Sequence, residues 1–149
     1  INDLMEGICR QMQEKNTSPD VAITFTEKAE ECILNTDRVR LSQVIINFTN
    51  NAMKFTPKGS IQMGYRIDEA KDEIYFYVKD TGIGIPEDKI NEVFERFVKL
   101  NTFAKGTGLG LAICRVIVER LGGTIGADSK EGEGSCFWFR LPITQKSNN

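Results

Sequence analysis

Residues 74–86, Ile-Tyr-Phe-Tyr-Val-Lys-Asp-Thr-Gly-Ile-Gly-Ile-Pro, limit what this chain can fold into more than any other stretch. Ile74, Phe76 and Val78 alternate with Tyr75, Tyr77 and Lys79, the period of a strand with one face turned to a core. By parity Asp80 falls on the apolar face. An ionised carboxylate there is unfavourable unless something donates hydrogen bonds to it. Asp80 could close a local turn with Gly82, as Asp often does, or it could receive the N–H of a ligand. From residues 74–86 alone the local turn is the simpler answer.

The rest of the chain predicts one domain built from both helices and strands. Its 149 residues suffice for a single sizeable core. Leu4, Ile8 and Met12 predict an amphipathic helix over 2–15, stopped by Asn16–Asp20. Ala22–Thr26 and Cys32–Leu34, either side of charged residues 27–31, predict a hairpin. Thr36 or Asn35 is expected to cap a second helix that starts near Asp37 and ends about Phe55. Leu41, Val44, Ile45, Phe48, Ala52 and Phe55 fall on one face of it. Asn47, Asn51 and Lys54 form a polar stripe beside that face, while Ile46 and Met53 lie on the remaining side, open to a partner surface. Two asparagines one turn apart are poor helix formers, better tolerated where they bind something.

Thr56–Gly59 is a turn, and Ile61, Met63, Tyr65 and Ile67 alternate as a strand. After the glycine turn, Pro86 suits the first position of a helix, with Ile90, Val93, Phe94 and Phe97 on one face. Residues 98–105 show no periodicity. They lead to Gly106-Thr107-Gly108-Leu109-Gly110 and a helix expected to turn Leu109, Ile113, Val116, Ile117 and Leu121 inward, ended by Gly122 and Gly123. Thr124–Ala127 and Ser135–Leu141 predict closing strands around the turn 130–134. The thiols of Cys114 and Cys136 fall in apolar stretches and are expected in the core.

Several function classes drop out. Net charge is −2, so there is no general field for nucleic acid or an anionic membrane. No apolar run reaches membrane-spanning length. Four scattered cysteines without a C-x-x-C pair suit reduced thiols in a cytosolic setting. There is no histidine, which removes every mechanism that takes its base, nucleophile or metal ligand from an imidazole of these residues. The opening without Met, in mid-pattern, is expected of a piece of a longer protein. Glycines 106, 108 and 110 before a helix suit a phosphate cradle of backbone N–H groups, or serve close packing alone. No G-K-[ST] follows, and the spacing is not that of a dinucleotide fingerprint.

Four features stand in one order: Asn47-x-x-x-Asn51-x-x-Lys54-Phe55, Asp80-x-Gly82-x-Gly84-x-Pro86, Phe94-x-x-Phe97 and Gly106-x-Gly108-x-Gly110. Together they resemble the asparagine, first glycine, phenylalanine and second glycine boxes of the catalytic ATP-binding domain of two-component sensor histidine kinases, with a hybrid kinase favoured. The resemblance runs from the first helix to Leu141. It implies an α/β two-layer sandwich of the Bergerat (GHKL) type, a mixed sheet packed on about three helices. The implied boundaries are 1–142 for the catalytic domain and 143–149 for a polar tail.

The resemblance also implies roles. Asp80 would accept the adenine amino proton, with Gly82, Ile83 and Gly84 close to the base and Phe55 beside it. Asn47 and Asn51 would meet Mg²⁺ and the phosphates, and Lys54 would balance phosphate charge. Gly106, Thr107, Gly108, Leu109 and Gly110 would line the nucleotide. Lys99 stands where many relatives have Arg, a point charge in place of a fork. Asn47 stands where ATP-hydrolysing relatives such as gyrase and heat-shock chaperones carry a Glu base, so hydrolysis is expected to be weak. Asn47, Lys54 and Lys99 are the implied catalytic set. ATP and Mg²⁺ are the implied cofactors, and the γ-phosphoryl would pass to a histidine on a separate helical dimerisation domain and then to a receiver-domain aspartate. The whole protein would be a homodimer without nucleic-acid partners, its catalytic part cytoplasmic, anchored at or free of the bacterial inner membrane. The alternatives are a serine kinase or ATPase of the same fold, or a docking module that binds nucleotide without chemistry.

Overall fold

The computed structural model describes residues 1–30, 34, 36–86 and 110–143. Helix α1 (Asn2–Lys15) is followed by β1 (Val21–Glu27), α2 (Arg38–Phe55), β2 (Gly59–Asp68), β3 (Glu73–Asp80), α3 (Gly110–Arg120), β4 (Thr124–Lys130) and β5 (Gly134–Pro142). The five strands form one mixed sheet in the order β1-β2-β3-β5-β4. β1 runs parallel to β2 and every other pairing is antiparallel. With the helices packed on one face, this is the expected two-layer sandwich.

Period 2 sets the inner face. Ile61, Met63 and Tyr65 of β2, Ile74, Phe76 and Val78 of β3, and Phe137, Phe139 and Leu141 of β5 are all buried. α2 lies across them with the predicted stripe Leu41, Val44, Ile45, Phe48, Ala52 and Phe55 buried. Phe48 sits between Phe137 and Phe139, ring centroids 5.6 and 5.9 Å away. Phe48→Ala should therefore cost about 3–5 kcal/mol. Thr49, also buried, returns its hydroxyl to the Ile45 carbonyl at 2.8 Å. Ile46 and Met53 are partly buried against the core.

The structure corrects several expectations. β1 does not form a hairpin with 32–34: its partner is β2, in parallel, and α2 carries the crossover that parallel strands require. Leu34 is outside any strand, and Cys32 and Ile33 lie outside the described residues. The cap of α2 is Asp37, whose side chain accepts from the Arg40 N–H at 3.1 Å; it is not Thr36, and Asn35 lies outside the described residues. α3 buries Leu111, Cys114, Ile117 and Val118, while Ile113 and Val116 are exposed. Cys136 is only half-buried, because it alternates with Phe137 and so faces away from the helices. Cys9, Cys114 and Cys136 are free thiols. No described helix is long and apolar enough to cross a membrane.

Candidate nucleotide site at the end of β3

Asp80 is the last residue of β3, paired across to Ile61 of β2 and Ser135 of β5. It faces the core as parity required, and only 3% of it is exposed. Two backbone donors meet one carboxylate oxygen: the Gly82 N–H at 2.9 Å and the Ser135 N–H at 3.3 Å, both to Oδ1. The local turn with Gly82 therefore exists, and it uses one oxygen. Among the described residues no donor reaches Oδ2 with hydrogen-bond geometry. Burial raises the Asp80 pKa from the ordinary value, and the two N–H groups offset part of that rise. The buried Thr56 hydroxyl adds a weaker lowering influence, although it meets no hydrogen-bond geometry.

The glycines of this turn are fixed by the protein's own packing. A Cβ at Gly82 would stand 2.1 Å from the Phe55 carbonyl oxygen and 2.7 Å from Thr56 Oγ1. Gly84 has φ +73°, and a Cβ there would stand 2.2 Å from the Lys130 carbonyl oxygen. Backbone hydrogen bonds hold the turn on both sides, from the Ile83 N–H to the Phe55 carbonyl at 2.9 Å and from the Gly132 N–H to the Ile83 carbonyl at 2.8 Å. The Ile85 N–H is held by Ser129 Oγ at 2.7 Å. The turn is thus clamped between the end of α2 and the β4–β5 connection. Ile83 is left 42% exposed while Ile85 is buried, so an apolar side chain is presented beside the buried acid.

Phe55 links this turn to the polar stripe of α2. Its ring is buried and its carbonyl grips Ile83, so it acts through its backbone. Asn47 and Asn51 are half-buried and Lys54 is exposed on the same helix. Gly110 opens α3 opposite Asn47: a Cβ on it would lie 3.8 Å from Asn47 Oδ1. Cys114, one turn on, is fully buried and its thiol pKa is pushed up to about 12 by that burial, with the Asn47 amide opposing the rise. Among the described residues no group of three or more acidic, Cys or His side chains could hold a metal by itself. Lys99, Gly106, Thr107, Gly108 and Leu109 lie outside the described residues, as do Phe94 and Phe97. The structure brings Asp80, Gly82, Ile83, Gly84 and Phe55 into one clamp and sets Asn47 against Gly110.

Thr56 and Ser135 belong to this site and do not stand out in the sequence. Thr56 reads as a turn residue. Ser135 reaches Asp80 only through strand register between β3 and β5, which has no local signal.

Residues 36–145 match the sequence profile of the histidine kinase-, DNA gyrase B- and HSP90-like ATPases. The chain belongs to this family. Among curated relatives of this ATPase family, the autoinducer 2 sensor kinase/phosphatase LuxQ of Vibrio vulnificus (strain YJ016) is 36% identical over 151 residues, which cover 96% of this chain and 17% of LuxQ. The chain therefore spans about a sixth of that relative's length. The catalytic domain of the histidine kinase ThkA superposes with a TM-score of 0.83 at 32% identity, over 97% of this chain and 93% of that one. Full-length ShkA in complex with AMPPNP gives a TM-score of 0.80 at 32% identity, over 95% of this chain and 30% of that one.

Proposed function

We propose that this domain binds Mg-ATP and supplies the catalytic half of a protein-histidine kinase in two-component signalling. The observation that carries the reading is Asp80: a buried carboxylate with one oxygen saturated by backbone donors and the other without a donor among the described residues. An exocyclic amino group of adenine supplies the missing donor, and the exposed Ile83 gives the base an apolar surface. The family match and the AMPPNP complex of ShkA support the same ligand class.

The amide oxygens of Asn47 and Asn51 suit Mg²⁺, a hard cation with oxygen ligands that it shares with substrate phosphates. The lack of any acidic cluster among the described residues fits a metal held jointly by protein and nucleotide. Bound there, the metal would neutralise charge on the phosphates. Asn47 and Asn51 orient that end of the ligand, and Lys54 adds positive charge. We extend the catalytic and binding set to Lys99 and to Gly106, Thr107, Gly108 and Leu109, with Gly110 at the start of α3. Catalysis is then positioning and electrostatics, as phosphoryl transfer requires. An amide at Asn47 is a poor base for water, which favours transfer over hydrolysis.

The phosphoacceptor lies outside these residues, since none is histidine. Its place is a helical dimerisation domain of the same protein, with a receiver domain downstream. Ile113 and Val116, neighbours on the exposed side of α3, are an apolar surface suited to a helical partner. The domain boundary is drawn just past β5, with Ile143 still held to the domain by its N–H on the Asp72 carbonyl at 2.9 Å. The test is incubation of the chain with γ-labelled Mg-ATP and the protein's histidine-bearing domain. Acid-labile label on that domain is expected; acid-stable label, or none while ATP binds, would overturn the kinase assignment.

A further inference from the structure

Two hydroxyl oxygens among the described residues, those of Thr36 and Thr56, are buried without a hydrogen-bond partner, and of the two residues only Thr56 is itself fully buried. Thr56 is 1% exposed, and its Oγ1 has no hydrogen-bond partner among the described residues. A buried hydroxyl without a partner is destabilising, and valine would fill the same volume without it. Other hydroxyls, buried at Thr49 and Ser135 and half-buried at Ser129, are treated differently. Thr49 returns its proton to Ile45, and Ser129 and Ser135 pair at 2.8 Å. The orphan hydroxyl is also placed against the nucleotide clamp, 2.7 Å from where a Cβ of Gly82 would stand, in the residue that follows Phe55. Across that turn is Asp80, whose Oδ1 is doubly occupied and whose Oδ2 lacks a donor among the described residues.

We infer that Thr56 is a positioning residue for ligand selection: its hydroxyl donates to Asp80 Oδ2 when a purine amino group docks on that same oxygen. A carboxylate offers about four lone-pair sites. Gly82 N–H and Ser135 N–H fill those of Oδ1, and Thr56 together with the ligand amino group fills those of Oδ2. The hydroxyl orients the carboxylate and fixes the direction left open to the ligand. The unpartnered Thr56 hydroxyl and the ligand amino group thus meet on one carboxylate oxygen. The inference rests on the ATP reading above and adds a residue and a selectivity to it.

Isothermal calorimetry and thermal melting of wild type, Thr56→Val and Thr56→Ser test this. T56V should bind ATP about tenfold more weakly, the size expected for a lost hydrogen bond to a charged group. Its melting temperature without nucleotide should equal or exceed that of wild type. T56S, which keeps the hydroxyl, should bind ATP within about threefold of wild type. With purine riboside triphosphate, which lacks the amino group, the T56V penalty should largely vanish. Wild-type affinity in T56V overturns the inference, and so does an equal penalty for both ligands. Loss of affinity in T56S to the same degree also overturns it, by marking a packing role. Should T56V fail to fold, Thr56→Ala takes its place with the same two ligands: a penalty for ATP that largely vanishes with purine riboside triphosphate supports the scheme, and an equal penalty or none overturns it. If wild type takes up no ATP at all, the ATP reading itself falls and this inference falls with it.

Discussion

Three strands of the sheet end in a carboxylate, and two of those acids, Glu27 and Asp80, are treated in opposite ways. Glu27 closes β1 at the edge of the sheet. Arg66 donates to its Oε2 at 2.7 Å and the Tyr77 hydroxyl donates to its Oε1. The Arg66 hydrogen bond and then that of Tyr77 hold its pKa below the usual value. Asp80 closes β3 in the interior. It has no cation in its hydrogen-bond shell among the described residues, only neutral backbone N–H groups on one oxygen, and burial raises its pKa. Glu27 is a satisfied, solvent-screened ion pair. Asp80 sits in the interior with one oxygen held by two backbone N–H groups and the other met by no protein donor among the described residues. The contrast teaches where to look for function in this fold: at the acid the protein itself leaves half satisfied.

The contrast breaks most sharply at Asp80. Asp80→Asn keeps an oxygen for the two N–H donors and removes the buried charge. Its ATP affinity should fall by about a hundredfold, since the amide presents a donor to a donor. Its melting temperature without nucleotide should not fall. A stable D80N that still binds ATP normally would end the comparison.

The clamp around the acid gives the next largest effect. Gly82→Ala places a methyl 2.1 Å from the Phe55 carbonyl oxygen. Denaturant unfolding should show a loss of about 2 kcal/mol or more, from overpacking against backbone that cannot yield.

Acidification should move the two acids in opposite directions. The folded-state pKa of Asp80 is raised above its ordinary 3.8. Its contribution to stability is therefore full below the unfolded value and is lost as pH rises through the folded one. Glu27 is lowered from 4.5, so its contribution is present above that value and lost as pH falls through the folded one. If the ligand amino group docks on Asp80, nucleotide uptake needs that acid ionised. ATP affinity should then begin to fall on acidification at a pH above the ordinary aspartate range, and calorimetry across pH should find this in wild type.

The smallest effect belongs to the satisfied acid. Glu27→Gln should change stability by about 0.2–1 kcal/mol, because the pair with Arg66 is largely exposed. ATP affinity should be unchanged.

Legibility in the sequence followed the range of the interaction. Alternation placed Asp80 on the buried face, and helical spacing gave the inward stripe of α2, because both depend on residues a few positions apart. Alternation also puts Cys136 on the outer face once Phe137 and Phe139 are inward. The partner of β1 was not legible, since a parallel pairing across a helical crossover has no local mark. α3 is apolar on two sides, so Ile113 and Val116 competed with Leu111, Cys114 and Val118 for the inward face, and only tertiary packing chose. Asp37 won the cap of α2 from its polar neighbours by the geometry of a single hydrogen bond. At the site, the four boxes were legible as a resemblance. That Gly82 and Gly84 are demanded by the Phe55 and Lys130 carbonyls, and that Thr56 and Ser135 flank the acid, needed the fold.

If Asp80 Oδ2 receives the amino group of the ligand, the exocyclic group of the purine decides which nucleotide binds. Inosine triphosphate carries a carbonyl oxygen where ATP carries that amino group. Calorimetric titration of both nucleotides with Mg²⁺ into wild type and Asp80→Asn tests the claim directly. Wild type should prefer ATP by about tenfold or more, and D80N should lose or invert that preference because its amide can donate to the carbonyl. Equal affinity of wild type for the two nucleotides would contradict the account.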